Sequence, residues 1–98
     1  MGVSQKHLHN HVHTAYPDVI KRLKRATGHL QKVIAMIESE RTCMDIAQQL
    51  HAVEKAVGAA KKLIIHDHLD HCLEGIVGSS PVDMHVSIAE FKDITKYL

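Results

Sequence analysis

The chain has 98 residues, enough for one domain but too few for a second hydrophobic core. Two Tyr, one Phe, no Trp, five Gly and two Pro disfavour a sheet-rich fold and predict an all-α protein with an aliphatic core. The formal net charge of +1 excludes a uniformly polycationic nucleic-acid binder, so a DNA-binding surface would have to come from the distribution of charge.

Histidine is the unusual component, with ten residues alongside only two cysteines. Imidazole is the commonest metal ligand and titrates near neutral pH. The N-terminus lacks the apolar segment of a secretory signal, and no apolar run approaches the ~18–20 residues of a membrane span. These features predict a cytoplasmic protein with reduced thiols that serve metal binding or redox sensing.

Residues 1–14 are predicted to form a flexible, His-rich tail, because histidine alternates there with few apolar residues. Its segment "HLHNHVH" could still fold onto a metal ion. Residues 15–98 are predicted to form a single helical domain that combines metal sensing and DNA binding.

The first helix is predicted to start at Pro17, a favourable first-turn residue, with Asp18 at the positive end of the helix dipole. Spacings of three and four then give it one apolar face. That face contains Ile20, Leu23, Thr27, Leu30, Ile34 and Ile37. Residues 39–41 are polar and predict a connection.

The second helix is predicted over residues 43–74, with Thr42 as N-cap, Asp45 completing a shortened capping box, and Gly75 and Gly78 at its end. Its predicted buried stripe is Ile46, Leu50, Val53, Val57, Ala60 and Ile64. A helix of that length measures about 48 Å, more than a compact monomer of this size can cover. The simplest solution is an antiparallel dimer of helix pairs, which forms a four-helix bundle.

A short third helix is predicted over residues 81–96, because Ser80 can cap it, Pro81 favours its first turn and Asp83 supplies an acid at the third position. Its apolar side contains Val86, Ile88, Ala89, Phe91, Ile94 and Leu98.

The segment "HDHLDHC" near the end of the second helix carries the strongest chemical signal. His68 and Cys72 are four residues apart, so they share one helical face and can bind one ion. Cys43 lies about 37 Å away along the same helix and cannot join them within one chain. In the antiparallel dimer it would approach the pair of the partner. Without a partner, a thiol at a helix start is usually a small hydrophobe.

Basic residues concentrate on the first helix. Residues 17–32 contain five Lys or Arg and one Asp, a local net charge of +4, and the second helix adds Lys55, Lys61 and Lys62. Such a stripe suits phosphate binding, although it also suits a merely solvated helix face. Without a helix-turn-helix pattern, DNA shape and backbone contacts are expected to matter more than a recognition helix.

Three segments carry a resemblance to a known family, and they read "IKRLKRATGHLQKVIAMIE", "CMDIAQQLHAVEKAVGAAKKLI" and "DHLDHC". They resemble the CsoR/RcnR family of metal-responsive transcriptional repressors over about residues 16–72, with a weaker match in the last helix. The resemblance implies a disc-like dimer of dimers, a homotetramer that binds operator DNA when metal-free and releases it on binding its effector.

The resemblance also implies the ligands. Cys43, His68 and Cys72 match the ligands of copper sensors, and His11 matches by spacing the N-terminal His of nickel and cobalt sensors. Two thiolates and an imidazole suit Cu(I), whereas a fourth donor from His11 suits square-planar Ni(II). Zn(II) would also accept the set. The extra histidines favour Ni(II) or Co(II) slightly over Cu(I).

Two positions depart from the family pattern. Copper sensors often have a Tyr where Thr42 stands, linked to a Glu that Glu90 could match, so both residues are predicted to lie beside the ligands. The usual Gln after the glycine of the first helix is His29 here, near the expected DNA face. The predicted DNA contacts are Lys21, Arg22, Arg25, His29, Lys32, Lys55 and Lys61.

Three classes of function follow. The favoured one is a repressor that responds to Ni(II)/Co(II) or Cu(I). The alternatives are a cytosolic metal-storage or carrier protein, and a thiol- or formaldehyde-responsive repressor of the same fold. An enzyme is not expected, because no acid/base pair or nucleophile motif is present.

Overall fold

The computed structural model describes residues 13–78 and 80–98, and within them it contains three α-helices, a short 3₁₀ turn and no strand. The elements are α1 (Tyr16–Glu38), α2 (Cys43–Ile76), α3 (Pro81–Ile94) and the 3₁₀ turn (Thr95–Tyr97). The prediction of an all-α fold with three helices is therefore confirmed.

Local capping sets where α2 and α3 begin. The Thr42 hydroxyl accepts a hydrogen bond from the backbone N–H of Asp45 at 3.1 Å, and the Ser80 hydroxyl accepts one from Asp83 at 3.2 Å. Each bond satisfies one of the N–H groups that a helix start leaves without an intrahelical partner. Both caps are those that the sequence predicts.

The end of α2 differs from the prediction. The helix continues through Gly75 to Ile76, and only Gly78, at φ +73°, takes the left-handed conformation that glycine favours. Gly75 has a packing role instead, because a Cβ there would lie 2.7 Å from the Ser87 hydroxyl oxygen of α3. The missing side chain lets α3 pack closely against the last turns of α2.

Helices α1 and α2 form an antiparallel pair. Midway along it, the His29 Nε2–H donates to the Gln49 side-chain oxygen at 2.7 Å. The buried residues of α1 are seven apart, and those of α2 form two pairs with the same spacing, as expected for a seam between two long helices. They are Val19, Ala26 and Val33 on α1, and Val53, Ala60, Ile65 and Cys72 on α2.

The apolar face predicted for α1 is not the face that packs on α2. Its five aliphatic residues are 42–53% exposed: Ile20, Leu23, Leu30, Ile34 and Ile37. The seam uses the adjacent row instead, in which Ala26 and two valines are smaller and permit a closer approach of the helix axes. Val53 and Ala60 are buried as predicted, but Leu50 and Val57 are 44% and 45% exposed. A long aliphatic strip thus stays uncovered on the single chain.

Helix α3 runs back along the C-terminal half of α2, and none of its residues is buried. The chain measures 59 × 30 × 16 Å, with a radius of gyration of 18.5 Å. A compact domain of this length would have a radius of gyration of about 13 Å. Within the described residues, no helix has both the length and the apolar character needed to cross a membrane.

Candidate metal centre

The donor cluster lies where the last turns of α2 meet α3. His68, Cys72 and Glu90 each offer one ligand atom, and these atoms lie within 4.8 Å of one another. Two of the residues come from successive turns of α2, as their i, i+4 spacing requires, and the third comes from α3. Cys72 is only 3% exposed, whereas Glu90 is exposed to solvent. The structure therefore brings together the predicted His-x-x-x-Cys pair and the Glu expected beside it.

The environment of Cys72 affects its protonation. Burial of the side chain, and to a lesser degree the negative charge of Glu90, raise the pKa of the Cys72 thiol above its ordinary value. Without an ion the thiol therefore keeps its proton at neutral pH. Because the thiolate is the ligand, metal binding has to release that proton, so affinity should rise with pH.

Cys43 lies at the opposite end of α2, where it is the first residue of the helix and is exposed. Since α2 is unbroken between Cys43 and His68, the rise per residue separates them by about 37 Å. The sequence predicts that Cys43 cannot reach this cluster within one chain, and in the structure it lies far from the cluster. His11, the fourth predicted ligand, lies outside the described residues.

Thr42 and Glu90 occupy different ends of the chain's long axis. Thr42 caps α2 beside Cys43, and Glu90 faces His68 and Cys72. Their predicted link to one set of ligands would thus need a second copy of the chain, just as Cys43 does.

A second cluster lies beside the first and is not part of the predicted site. His13, Asp67 and His71 also place one ligand atom each within 4.8 Å of the others. The His13 Nδ1 and an Asp67 carboxylate oxygen are 2.7 Å apart. The sequence contains one signal for this cluster, the i, i+4 spacing of Asp67 and His71, but nothing in it places His13 against them.

Residues from both clusters line one cavity of about 570 Å³. Its walls include residues from the start of α1, the end of α2 and the middle of α3. They are His13, Tyr16, His68, His71, Cys72, Glu74, Gly75, Ser87 and Glu90. A cavity with three imidazoles, a thiol and two carboxylates on its wall suits a cation better than an apolar ligand.

The residues predicted to contact DNA are mostly exposed. Exposed positions are Lys21, Arg22, Arg25, Lys32, Lys55 and Lys61. His29 is half-buried through its bond to Gln49, and Arg22 contacts Asp18 at 3.3 Å in an exposed ion pair. Such an exposed pair contributes little and leaves the arginine available to a phosphate.

Several of these cations follow the groove between α1 and α2. Arg22, Arg25 and His29 line a small hollow of about 110 Å³ next to Ala56. Further along, Lys32 and Arg41 line another hollow with Gln49, of about 280 Å³. Arg41 is absent from the predicted set, because the sequence places it only in a connection. The hollows mark a row of positive side chains along one edge of the helix pair.

The fold and the cluster of His68, Cys72 and Glu90 define an all-helical class of protein with a candidate transition-metal centre at the end of its longest helix. Residues 15–97 match the family described as metal-sensitive transcriptional repressor. The chain belongs to this family, which confirms the resemblance seen in the sequence. It also agrees with the expectation that the protein is not an enzyme, because the family consists of repressors.

Two curated relatives are copper-sensing transcriptional repressors called CsoR. The one from Mycobacterium ulcerans (strain Agy99) is 34% identical over 76 residues, which cover 74% of this chain and 65% of the relative. The one from Bacillus subtilis (strain 168) is 33% identical over 88 residues, covering 89% of this chain and 85% of the relative. The chain thus spans slightly less than two thirds of the mycobacterial relative.

Among solved structures, the nickel-responsive transcriptional regulator InrS is similar to this chain. The two superpose with a TM-score of 0.77 at 26% sequence identity, and the match covers 92% of this chain and 100% of the other. This chain is therefore similar both to copper-sensing and to nickel-responsive proteins.

Proposed function

We propose that the protein is a metal-responsive transcriptional repressor that binds operator DNA when metal-free and releases it when its metal centre is occupied. The observation that carries this proposal is the cluster of His68, Cys72 and Glu90, which lies in a chain of the metal-sensitive repressor family. A regulator of this kind would act in the cytoplasm, on the cell's own DNA.

The complete centre is proposed to be shared between two chains. His68 and Cys72 of one protomer would bind the ion together with Cys43 of its partner, since Cys43 lies too far along its own α2. The exposed Ile and Leu strip of α1 supports such a dimer, because burial of that strip against another copy removes apolar surface from water and stabilises the helix pair. An antiparallel four-helix bundle would bring the start of α2 in one protomer beside the end of α2 in its partner. Two such dimers would form the tetramer.

The basic edge is proposed as the DNA-binding surface. Arg22, Arg25 and Lys32 follow the α1–α2 groove, and Lys21, Lys55 and Lys61 extend the exposed positive charge. Repetition of this edge in a tetramer would give a broad surface for phosphates. His29 would act mainly by holding α1 on α2 through Gln49, and only secondarily by touching DNA.

The choice of ion depends on how many donors complete the centre. His68 and two thiolates make a three-ligand set for Cu(I), and His11 from the tail of residues 1–14 would make a four-ligand set for Ni(II) or Co(II). The similarity to InrS and the histidines of the tail favour Ni(II). Residues 15–98 would then be the folded domain to which the tail contributes one ligand.

Metal-driven release from DNA tests the proposal. A duplex that the metal-free protein selects from a random pool is labelled, and Cu(I) and Ni(II) are titrated separately into the complex while fluorescence anisotropy is followed. We expect release by one of the ions, when one ion per chain occupies the shared thiol-containing centre. A protein that binds metal but selects no duplex would be a storage or carrier protein. Release that depends on the thiols but survives His68→Ala would indicate a thiol sensor.

The tail is tested in the same assay by deletion of residues 1–12, which leaves His13 in place. If the centre is the Ni(II) type, the deletion should weaken release by Ni(II) far more than release by Cu(I). Equal release by Ni(II) from the full and the shortened chain would exclude His11 as a ligand.

The DNA surface is tested with Arg25→Ala. Loss of one phosphate contact should make the negative slope of log K against log salt less steep by about 1, while metal affinity stays unchanged. Glu54→Ala, on an exposed part of α2, is a control that removes a surface charge of opposite sign. An unchanged slope in Arg25→Ala would show that Arg25 is not part of the DNA-binding surface.

A further inference from the structure

The second cluster, formed by His13, Asp67 and His71, has the geometry of a binding site in its own right. The His13 Nδ1 lies 2.7 Å and the His71 Nδ1 lies 3.8 Å from the same Asp67 carboxylate oxygen. The two imidazole rings meet edge to face, with centroids 4.9 Å apart. Ligand atoms around an ion at bond lengths of 2.0–2.2 Å are about 3–3.5 Å apart, so small side-chain rotations would suffice to bind one.

Each ligand of this cluster is held by the fold. Asp67 and His71 are four residues apart on α2 and lie on one helical face. His13 stacks on Tyr16, the first residue of α1, with ring centroids 4.2 Å apart and planes 5° from parallel. Because the rings are already oriented, little conformational entropy remains to be lost when an ion binds.

The surroundings of the carboxylate favour a cation. The side chain of Asp67 is only 10% exposed, and those of His71 and His13 are 13% and 27% exposed. A carboxylate that is largely removed from water is stabilised by a positive charge at close range. A divalent ion bound by the two imidazoles would place a double positive charge beside this carboxylate.

The donor set differs from that of the thiol cluster. Two nitrogens and one oxygen, without sulfur, suit divalent ions of intermediate softness such as Zn(II), Co(II) and Ni(II), whereas Cu(I) prefers thiolates. Asp67 and His71 directly precede His68 and Cys72, so the two pairs occupy the same turns of α2 but point about 100° apart. Two kinds of ligand set therefore lie side by side, and both contribute residues to the wall of one cavity.

We propose that His13, Asp67 and His71 form a second metal site, which binds a divalent transition-metal ion independently of the thiols. An ion in this site ties the segment just before α1 to the end of α2. Each chain then carries one thiol-containing centre and one N₂O centre, and Cu(I) uses only the first.

The test uses the full chain with both thiols removed, as Cys43→Ser/Cys72→Ser, and Co(II) alone as the probe. Equilibrium dialysis with metal analysis measures the stoichiometry, and the visible spectrum reports the ligands. We expect one Co(II) per chain, with weak d–d bands and no thiolate-to-metal charge-transfer band. Circular dichroism checks that the variant keeps its helices.

Substitutions in the thiol-free chain locate the ion. Asp67→Asn and His71→Ala should each weaken Co(II) binding on the order of tenfold or more, at least as much as losing a hydrogen-bonding neighbour of a ligand. His66→Ala is the matched control, because it removes an exposed imidazole from the same turns of α2. It should leave the affinity unchanged.

Two results would overturn the inference. One is the absence of Co(II) uptake by the folded, thiol-free chain. The other is wild-type affinity in both Asp67→Asn and His71→Ala, which would mean that the other tail histidines hold the ion. Neither result depends on DNA, so failure of the second site and failure of the proposed repressor function are distinguishable.

Discussion

Removal of the Thr42 hydroxyl tests the link between the start of α2 and the metal centre. The hydroxyl accepts the backbone N–H of Asp45 at 3.1 Å, and it is the side-chain cap of the helix. Thr42→Ala leaves that N–H to water and should cost about 1 kcal/mol, within a range of about 0.5–2 kcal/mol. For a domain of this size, that corresponds to a fall in Tm of about 4–8 °C.

A second threonine, in the interior of α1 on the strip that a partner chain is proposed to cover, provides the control. The Thr27 hydroxyl donates to the Leu23 carbonyl oxygen at 2.9 Å, one turn back within α1. A bond of this kind does not cap a helix, and alanine has the higher helix propensity in an interior position. The same chemical change, Thr27→Ala, should therefore leave Tm unchanged or raise it slightly. Thr42→Ser, which keeps the hydroxyl, should stay close to wild type.

Thermal unfolding followed by circular dichroism measures the three variants at one protein concentration, since an oligomer's Tm depends on concentration. Cu(I) affinity is the second readout. Cys43 is the first residue of α2, so fraying of the first turn should weaken Cu(I) binding in Thr42→Ala and not in Thr27→Ala. Equal Tm values for Thr42→Ala and Thr27→Ala would refute the capping role and the reasoning built on it.

Two further predictions concern the contact between α2 and α3. Gly75→Ala should be neutral or mildly destabilising in thermal unfolding, because its Cβ forces the Ser87 hydroxyl to rotate. In a Ser87→Ala background the nearest remaining contact of that Cβ is 3.7 Å, so Gly75→Ala should stabilise the helix by about 1 kcal/mol. Equal effects of Gly75→Ala in both backgrounds would contradict this packing. In a Cys43→Ser background, Glu90→Gln should lower the pKa of Cys72, because the Glu90 carboxylate contributes to raising it. Alkylation of the Cys72 thiol should then reach half its maximal rate at a lower pH than in the Cys43→Ser parent. An unchanged or higher midpoint would place Glu90 away from the thiol.

The sequence predicts the helices of this fold well because their signals are local. Thr42 and Ser80 are caps that act on the N–H groups of the next turn, so each can be recognised without tertiary structure. The His68–Cys72 pair is predictable for the same reason, since an i, i+4 spacing on a long helix fixes the two side chains on one face.

Tertiary choices between similar faces are harder to predict. Helix α1 has two neighbouring apolar rows, and hydrophobic spacing alone does not show that the Val19 row packs on α2 while the Ile20 row stays exposed. The second metal cluster depends on where the segment before α1 meets α2, so His13 has no local signal that links it to Asp67 and His71. Gly75 likewise looks like a helix end, whereas it provides space for Ser87.

The central claim, a metal centre shared between two chains, is tested most directly by mixing two inactive variants. Cys43→Ala lacks one part of the proposed centre and His68→Ala lacks the other, so a mixed dimer contains one intact centre and one broken one. The two variants are unfolded together and refolded, and Cu(I) affinity is compared with that of each variant alone. We expect a tight-binding fraction only in the mixture. If the mixture binds no more tightly than either variant alone, Cys43 and His68 do not meet across an interface and the proposed centre is wrong.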